Sequence, residues 1–189
     1  MTVPFNLTLF WFRRIECERL TLRPIELSDA ADMFEYASDE ENTRYVFEQH
    51  KNLEETKDAI ATFFMANPAG KYAIELKETK KMIGTIDIRV VEEHKHAEIG
   101  YVLNKRYWGK GYMTEAATAL LQLAFESMKL EKVYACHDAD NVSSGKVMIR
   151  LGMQREGILR QHRIHKGKRI DTVYYGILRD EYYRNLLEK

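Results

Sequence analysis

Lys105-Arg106-Tyr107-Trp108-Gly109-Lys110-Gly111-Tyr112-Met113-Thr114-Glu115-Ala116 is the stretch from which the rest of this 189-residue chain can be read. An apolar, strand-like run, Ala97 to Leu103, precedes it and a helix-like run follows, so Gly109 and Gly111 sit where a strand hands the chain to a helix. The first turn of a helix leaves N–H groups without intrahelical acceptors, and the macrodipole adds partial positive charge there. Glycines let the backbone come close to a ligand, and Arg106 and Lys110 add full charges. The junction reads as an anion site.

Downstream, Ala117, Leu120, Leu121, Ala124, Phe125 and Met128 recur at helical spacing, which predicts a helix packed along much of its length. Lys132 to His137 is the next strand; with a helix between them, it and Ala97–Leu103 run parallel. Asn141 caps a helix to about Arg150 that ends at Gly152, and Met153 to Leu178 reads as a hairpin turning at Lys166-Gly167-Lys168, with a short amphipathic tail from Arg179. Upstream, Tyr72–Leu76, Met82–Val91 and His96–Leu103 are strands joined by polar turns, hence antiparallel. Before them come a strand at Arg19–Pro24, a helix opened by Ser28-Asp29 and closed by Asp39-Glu40-Glu41, and a helix from Leu53 to Ala66 that Asn67-Pro68-Ala69-Gly70 stops. The order β, α, α, β, β, β, α, β, α, β, β predicts a mixed α+β sheet.

Composition narrows the class. With 45% hydrophobic residues and no Pro/Gly/Ser-rich linker, residues 1–189 read as a single domain. No apolar run approaches the roughly 20 residues that a membrane span needs, and Val3–Phe12, interrupted by Pro4 and Asn6, lacks a basic leader; a soluble, cytoplasmic protein is expected. Two cysteines, Cys17 and Cys136, make no disulfide framework. The net charge of zero hides 13 basic against 18 acidic residues in 1–95 and 16 against 11 in 96–189. The basic half holds the glycine loop, which suits a polyanionic ligand there and leaves the acidic half for a cationic one.

Arg106-x-x-Gly109-x-Gly111 after Glu98-Ile99-Gly100-Tyr101, followed by Thr114-Glu115-Ala116, resembles the acyl-CoA-binding motif of the GNAT superfamily of N-acetyltransferases. Asn141-x-x-Ser144-x-x-Val147-x-x-Arg150-Leu151-Gly152-Met153 is similar to the next segment of its RimJ/RimL branch, the ribosomal-protein N-terminal acetyltransferase type. Tyr107 to Tyr112, Arg19-Leu20-Thr21-Leu22-Arg23-Pro24 and Asp171-Thr172-Val173-Tyr174-Tyr175-Gly176 resemble that branch too. The resemblance implies a mostly antiparallel, seven-stranded sheet splayed between its fourth and fifth strands. It implies acetyl-CoA as donor and an amine as acceptor, with direct transfer in a ternary complex. The donor would lie along Tyr101, Val102 and Leu103, with its pyrophosphate on Arg106, Gly109, Lys110, Gly111, Tyr112, Met113 and Thr114. Asn141 would stand near the sulfur, and Lys146 and Arg150 would reach further phosphates.

Glu98 shares a strand face with Gly100 and Val102 and is the general base of this reading. An α-amine of pKa about 7.7 to 8.0 is partly neutral at pH 7, whereas lysine near 10.4 holds its proton by roughly 2.5 further units, about 3.4 kcal/mol. A carboxylate therefore suits a protein N-terminus better. Met148 stands where many family members place a tyrosine acid, which leaves the acid open; Ser144, one turn beyond Asn141, is the candidate to protonate or hydrogen-bond the departing thiolate. Asp39, Glu40 and Glu41 are the acceptor-side candidates, and a polyamine or aminoglycoside that used them is one alternative acceptor. A CoA-binding module without turnover is another reading. No metal is expected, since His94-x-His96 lacks a third ligand, and Cys136 and His137, adjacent on a strand, point to opposite faces. The basic and aromatic residues 155–175 read as an amphipathic hairpin, so no nucleic acid is expected. Leu7–Phe12 serve either a homodimer contact or a strand packed on the core.

Overall fold

In the computed structural model, which describes residues 4–188, the elements run in chain order as follows. Helix α1 (Phe5–Trp11) leads to strands β1 (Ile15–Glu16) and β2 (Leu20–Arg23), then helices α2 (Ala30–Ala37), α3 (Glu40–Thr43) and α4 (Leu53–Ala59). Strands β3 (Lys71–Leu76), β4 (Met82–Val91) and β5 (His96–Leu103) precede helix α5 (Tyr112–Gln122), after which come β6 (Lys132–Asp138), α6 (Val142–Arg150), β7 (Gln154–His165), β8 (Lys168–Leu178) and α7 (Arg179–Leu187). The strand order is β1-β2-β3-β4-β5-β6-β8-β7, a mixed α+β arrangement, antiparallel except for β5 and β6. Eight strands stand among the described residues where seven were expected, because β1, two residues long, is too short for alternation to register.

The parallel ladder is brief. His96, Ala97 and Glu98 face Lys132, Val133 and Tyr134, and neither Ile99 nor Gly100 continues it, although β6 stays paired to β8 as far as Asp138.

Backbone contacts divide the chain into two compact units. The first comprises the residues up to Asp87 together with Tyr101–Ala119. Its core gathers Ile25, Met33, Tyr36, Ile60, Ala73 and Met82, all under 7% exposed. In α2, buried Ala30, Met33, Tyr36 and Ala37 lie three or four apart and form one apolar face. Asp29, rather than Ser28, organises the entry to α2: its carboxylate accepts the Glu26 N–H (2.9 Å) and pairs with Arg23 (2.7 Å), which also holds Glu75 (2.6 Å). The acidic run that was expected to close α2 begins α3 instead, with Asp39 accepting the Asn42 N–H. Asn52 caps α4, and the helix widens to a π turn over Ile60–Met65. Leu7–Phe12 belong to α1 and its exit rather than to a strand, and Phe10 and Trp11 stay exposed. Gly84 is required by a close approach, since a Cβ there would lie 2.3 Å from the Val102 carbonyl oxygen.

The second unit comprises Ile88–Gly100 and Leu120 onward. Leu130, Val133, Ala135 and Ile177 are buried with Phe125, whose ring meets that of Tyr182 at 4.9 Å. The β7–β8 hairpin turns at Lys166 (φ 48°) and Gly167 (φ 75°), the two positive dihedrals of a tight primed turn. No helix among the described residues is long and apolar enough to cross a membrane.

Candidate active site

The glycine loop is anchored at its entry. Asn104, 2% exposed, donates its backbone N–H to the Ile83 carbonyl (2.8 Å) and accepts the Arg106 N–H on its side-chain oxygen (3.1 Å). The Leu103 carbonyl accepts both Asn42 Nδ2 and Trp108 Nε1, each at 2.8 Å, and Asn42 Oδ1 takes the Lys105 N–H at 2.7 Å. Three side chains thus fix where the strand ends and the loop begins.

Beyond them the backbone turns through Gly109 (φ 74°) and Gly111 (φ 80°), left-handed positions that side chains rarely tolerate, and α5 starts at Tyr112. Its first backbone acceptor is the Gly111 carbonyl, which takes the Glu115 N–H. Among the described residues, none of the N–H groups of residues 109–114 meets an acceptor. A Cβ built on Gly109 would find open space. Consecutive unpaired N–H groups at the start of an 11-residue helix, with room in front of them, fit the diphosphate of an acyl-CoA. Arg106 is largely exposed, 3.4 Å from Glu35, and the Lys110 ammonium lies over the Tyr107 ring. Met113 is buried and Tyr112 and Thr114 half-buried, so these three offer backbone rather than side chains. Tyr101 and Val102 are half-buried, and the Leu103 carbonyl is already taken.

Sequence reasoning missed Arg19 as part of the loop. Its guanidinium donates to the Lys110 carbonyl (3.0 Å) and to Glu115 (2.7 Å) and covers the Tyr112 ring at 4.5 Å. Ninety-six residues separate Arg19 from Glu115, and no local signal spans that distance.

Glu98, on β5, is 27% exposed at its side chain. One oxygen, Oε1, accepts from Arg89 Nη2 of β4 (3.1 Å) and from the Cys136 thiol of β6 (3.6 Å); Oε2 has no partner among the described residues. A carboxylate held by one oxygen keeps the other available to a proton. Tyr134 and Tyr174 lie beside it, their rings 6.4 Å apart, and burial, followed by the charge of Glu98 or Cys136, raises both phenols above the ordinary range. Burial and then Glu98 likewise push the Cys136 thiol up, so it stays protonated at neutral pH. His137 turns the other way, stacked on Tyr175, as strand alternation requires.

On α6, the Asn141 side-chain oxygen accepts the Ser144 N–H at 3.3 Å, the cap expected from sequence, and its Nδ2 amide has no partner among the described residues. Lys146 and Arg150 project from the exposed face, whereas Met148 is 1% exposed and belongs to the core. The acidic segment is compensated: Asp39 and Glu41 share the Lys105 ammonium at 2.7 and 3.2 Å, and that cation holds the Asp39 carboxyl below its ordinary value. Glu40 is exposed. Among the described residues no cluster of three or more His, Cys, Asp or Glu is placed to hold a metal ion.

A family model described as "Acetyltransferase (GNAT) domain" matches residues 19–154. The N-acetyltransferase p20 of Bacillus licheniformis, itself uncharacterised, is 35% identical over 170 residues, which cover 87% of this chain and 96% of that protein. YdaF of Bacillus subtilis, named as a candidate ribosomal N-acetyltransferase, is 28% identical over 172 residues, 87% of this chain and 94% of its own length. Among solved structures, a GNAT-family acetyltransferase from Bacillus anthracis superposes with a TM-score of 0.80 at 32% identity, covering 88% of this chain and 99% of the other.

Proposed function

The chain belongs to the GNAT acetyltransferase family, and from that premise we propose that it acetylates the N-terminal α-amine of a protein, in the manner of the RimJ/RimL branch, with Glu98 as general base. As a member of the family it is an acyl-CoA-dependent N-acetyltransferase. Acetyl-CoA, when bound, supplies the acetyl group as a thioester. The residues that would hold it are the N–H groups of residues 109–114, with Arg106 and Lys110 adding charge.

The remaining steps fall to this chain's own side chains. Glu98 takes a proton from the acceptor amine on Oε2, while Arg89 and Cys136 keep the carboxylate aimed through Oε1. Backbone N–H groups around Gly100 to Val102 would stabilise the oxygen on which charge develops. The Asn141 amide and the Ser144 hydroxyl would stabilise the departing thiolate, and Lys146 and Arg150 would lend positive charge to outer phosphates. Met148 cannot give up a proton, which leaves Ser144, or water beside it, as the acid.

The observation that carries the α-amine is the singly held carboxylate of Glu98. A lysine acceptor holds its proton far more tightly than an N-terminal amine, which is already partly neutral, so a lone carboxylate base suits the latter. A relative 24% identical over 163 residues is named spermidine N(1)-acetyltransferase, from Escherichia coli. For a polyamine acceptor, however, Asp39 and Glu41 would have to surrender Lys105. Thiol release from acetyl-CoA, measured with N-terminal peptides, spermidine and an aminoglycoside, tests the proposal. Peptides are expected to turn over best; preference for spermidine or the aminoglycoside would overturn the acceptor, and donor binding with silence across the panel would overturn catalysis.

A further inference from the structure

The surroundings of Glu98 within its own unit are basic, and this bears on the acceptor residues next to the reacting amine. We propose that the β7–β8 hairpin, together with Arg89, forms an acceptor surface selecting peptides whose residues just after the N-terminus are acidic. The inference rests on the α-amine reading of Glu98.

A row of side chains leads from the base to the hairpin. Cys136 donates to Glu98 at 3.6 Å, Tyr174 stands opposite Cys136 in the β6–β8 ladder, and its ring meets that of His162 on β7 at 6.0 Å. Arg163 follows His162 and stands opposite Ile170, four residues from Tyr174 on β8 and therefore on the same strand face as that ring. The β7–β8 register slips between Leu159 and Arg163, where Gln161 adopts φ 50°. Around that bulge Ile158, Leu159, Arg160, Gln161, His162 and Asp171 line a shallow hollow.

Charge gives the hairpin its selectivity. From Gln154 to Leu178 there are six Lys and Arg residues against two carboxylates, and both carboxylates are engaged: Glu156 by Lys132 Nζ at 2.6 Å, Asp171 by the Gln161 N–H at 2.8 Å. Glu98 is matched by Arg89 at 3.1 Å. An acceptor with a second ammonium close to the first meets an excess of cations here, whereas aspartate or glutamate at its second and third positions finds Arg160 and Arg163. Such complementarity acts on encounter and specificity, and salt weakens it.

The test uses the full chain and two peptides with the same N-terminal serine, one with aspartate and glutamate at the second and third positions, the other with lysine and arginine. At low salt the acidic peptide is expected to have a kcat/KM about tenfold higher, the discrimination that two exposed ion pairs supply, and the ratio should shrink as salt is raised. Arg160→Glu with Arg163→Glu should invert the preference, and retained turnover of the basic peptide shows that the variant is folded. Equal rates for the two peptides, or a ratio untouched by the charge reversal, would overturn the inference while leaving the α-amine reading intact. Stronger inhibition by a single-stranded RNA oligonucleotide than by the unreactive, N-acetylated acidic peptide would assign the hairpin to nucleic acid instead. Turnover of neither peptide, with spermidine acetylated, would overturn the α-amine reading and this inference with it.

Discussion

In the proposed reaction the loop from Asn104 to Thr114 and the face around Glu98 would act through different atoms. In the loop the working groups are backbone N–H donors, aligned by two glycines at positive φ and secured by Asn42, Asn104 and Trp108. Around Glu98 they are side chains that strand register brings together from β4, β5 and β6. A backbone site tolerates many side-chain changes but not a Cβ where φ is positive; a side-chain site tolerates backbone variation but not the loss of one functional group. The two should therefore fail in opposite ways, one in donor affinity and the other in turnover.

The largest effect belongs to Glu98→Gln, which keeps the shape and removes the base. Turnover should fall about 10²- to 10³-fold, the usual contribution of general base catalysis, while calorimetry gives an unchanged donor affinity. Full turnover would remove Glu98 from the chemistry and leave the loop as the one supported site.

Asn42→Ala comes next. Asn42 is buried and joins α3 to both sides of the loop entry, accepting the Lys105 N–H and donating to the Leu103 carbonyl. Losing both bonds and leaving the Lys105 amide unpaired should cost about 2–3 kcal/mol of stability, seen in chemical denaturation, and weaken donor binding as the loop loosens. Unaltered binding would mean that the glycines alone set the loop. Gly109→Ala should act more mildly: φ 74° strains an alanine by about 1–2 kcal/mol, so donor affinity falls up to roughly tenfold, with kcat at saturating donor preserved. The space beside Gly109 makes this a test of backbone conformation rather than of collision.

This contrast also explains what could be read from the chain before the fold was known. The loop announces itself locally, by two glycines between an alternating strand and a 3.6-periodic helix, and the β7–β8 hairpin by Lys166-Gly167. What stayed hidden depends on distant partners: Arg19 with Glu115, Asn42 with Leu103, and Cys136 with Glu98 across 38 residues. Short elements were also lost, since α3 has four residues and β1 two, less than one full period of their kind. For the acidic run, composition shows the carboxylates but not the lysine, 64 residues from Glu41, that pairs with Glu41 and Asp39.

The smallest effect reads Glu98 through its neighbour. Burial, then the charge of Glu115, pushes the Cys17 thiol up to about 11, so its reaction with iodoacetamide should rise along a pH profile centred near that value rather than near the ordinary 8.5. The Cys136 thiol is raised by burial first and by Glu98 second. Glu98→Gln removes only that second cause, which favours the thiolate, so Cys136 should be alkylated faster than in the parent at pH 8 while Cys17 keeps its rate. The gain is modest because burial remains. Differential isotopic tagging with mass spectrometry of the two cysteine peptides measures both rates in one sample. An unchanged Cys136 would mean that the carboxylate does not bear on that thiol in solution, and would leave Arg89 as the hold on Oε1.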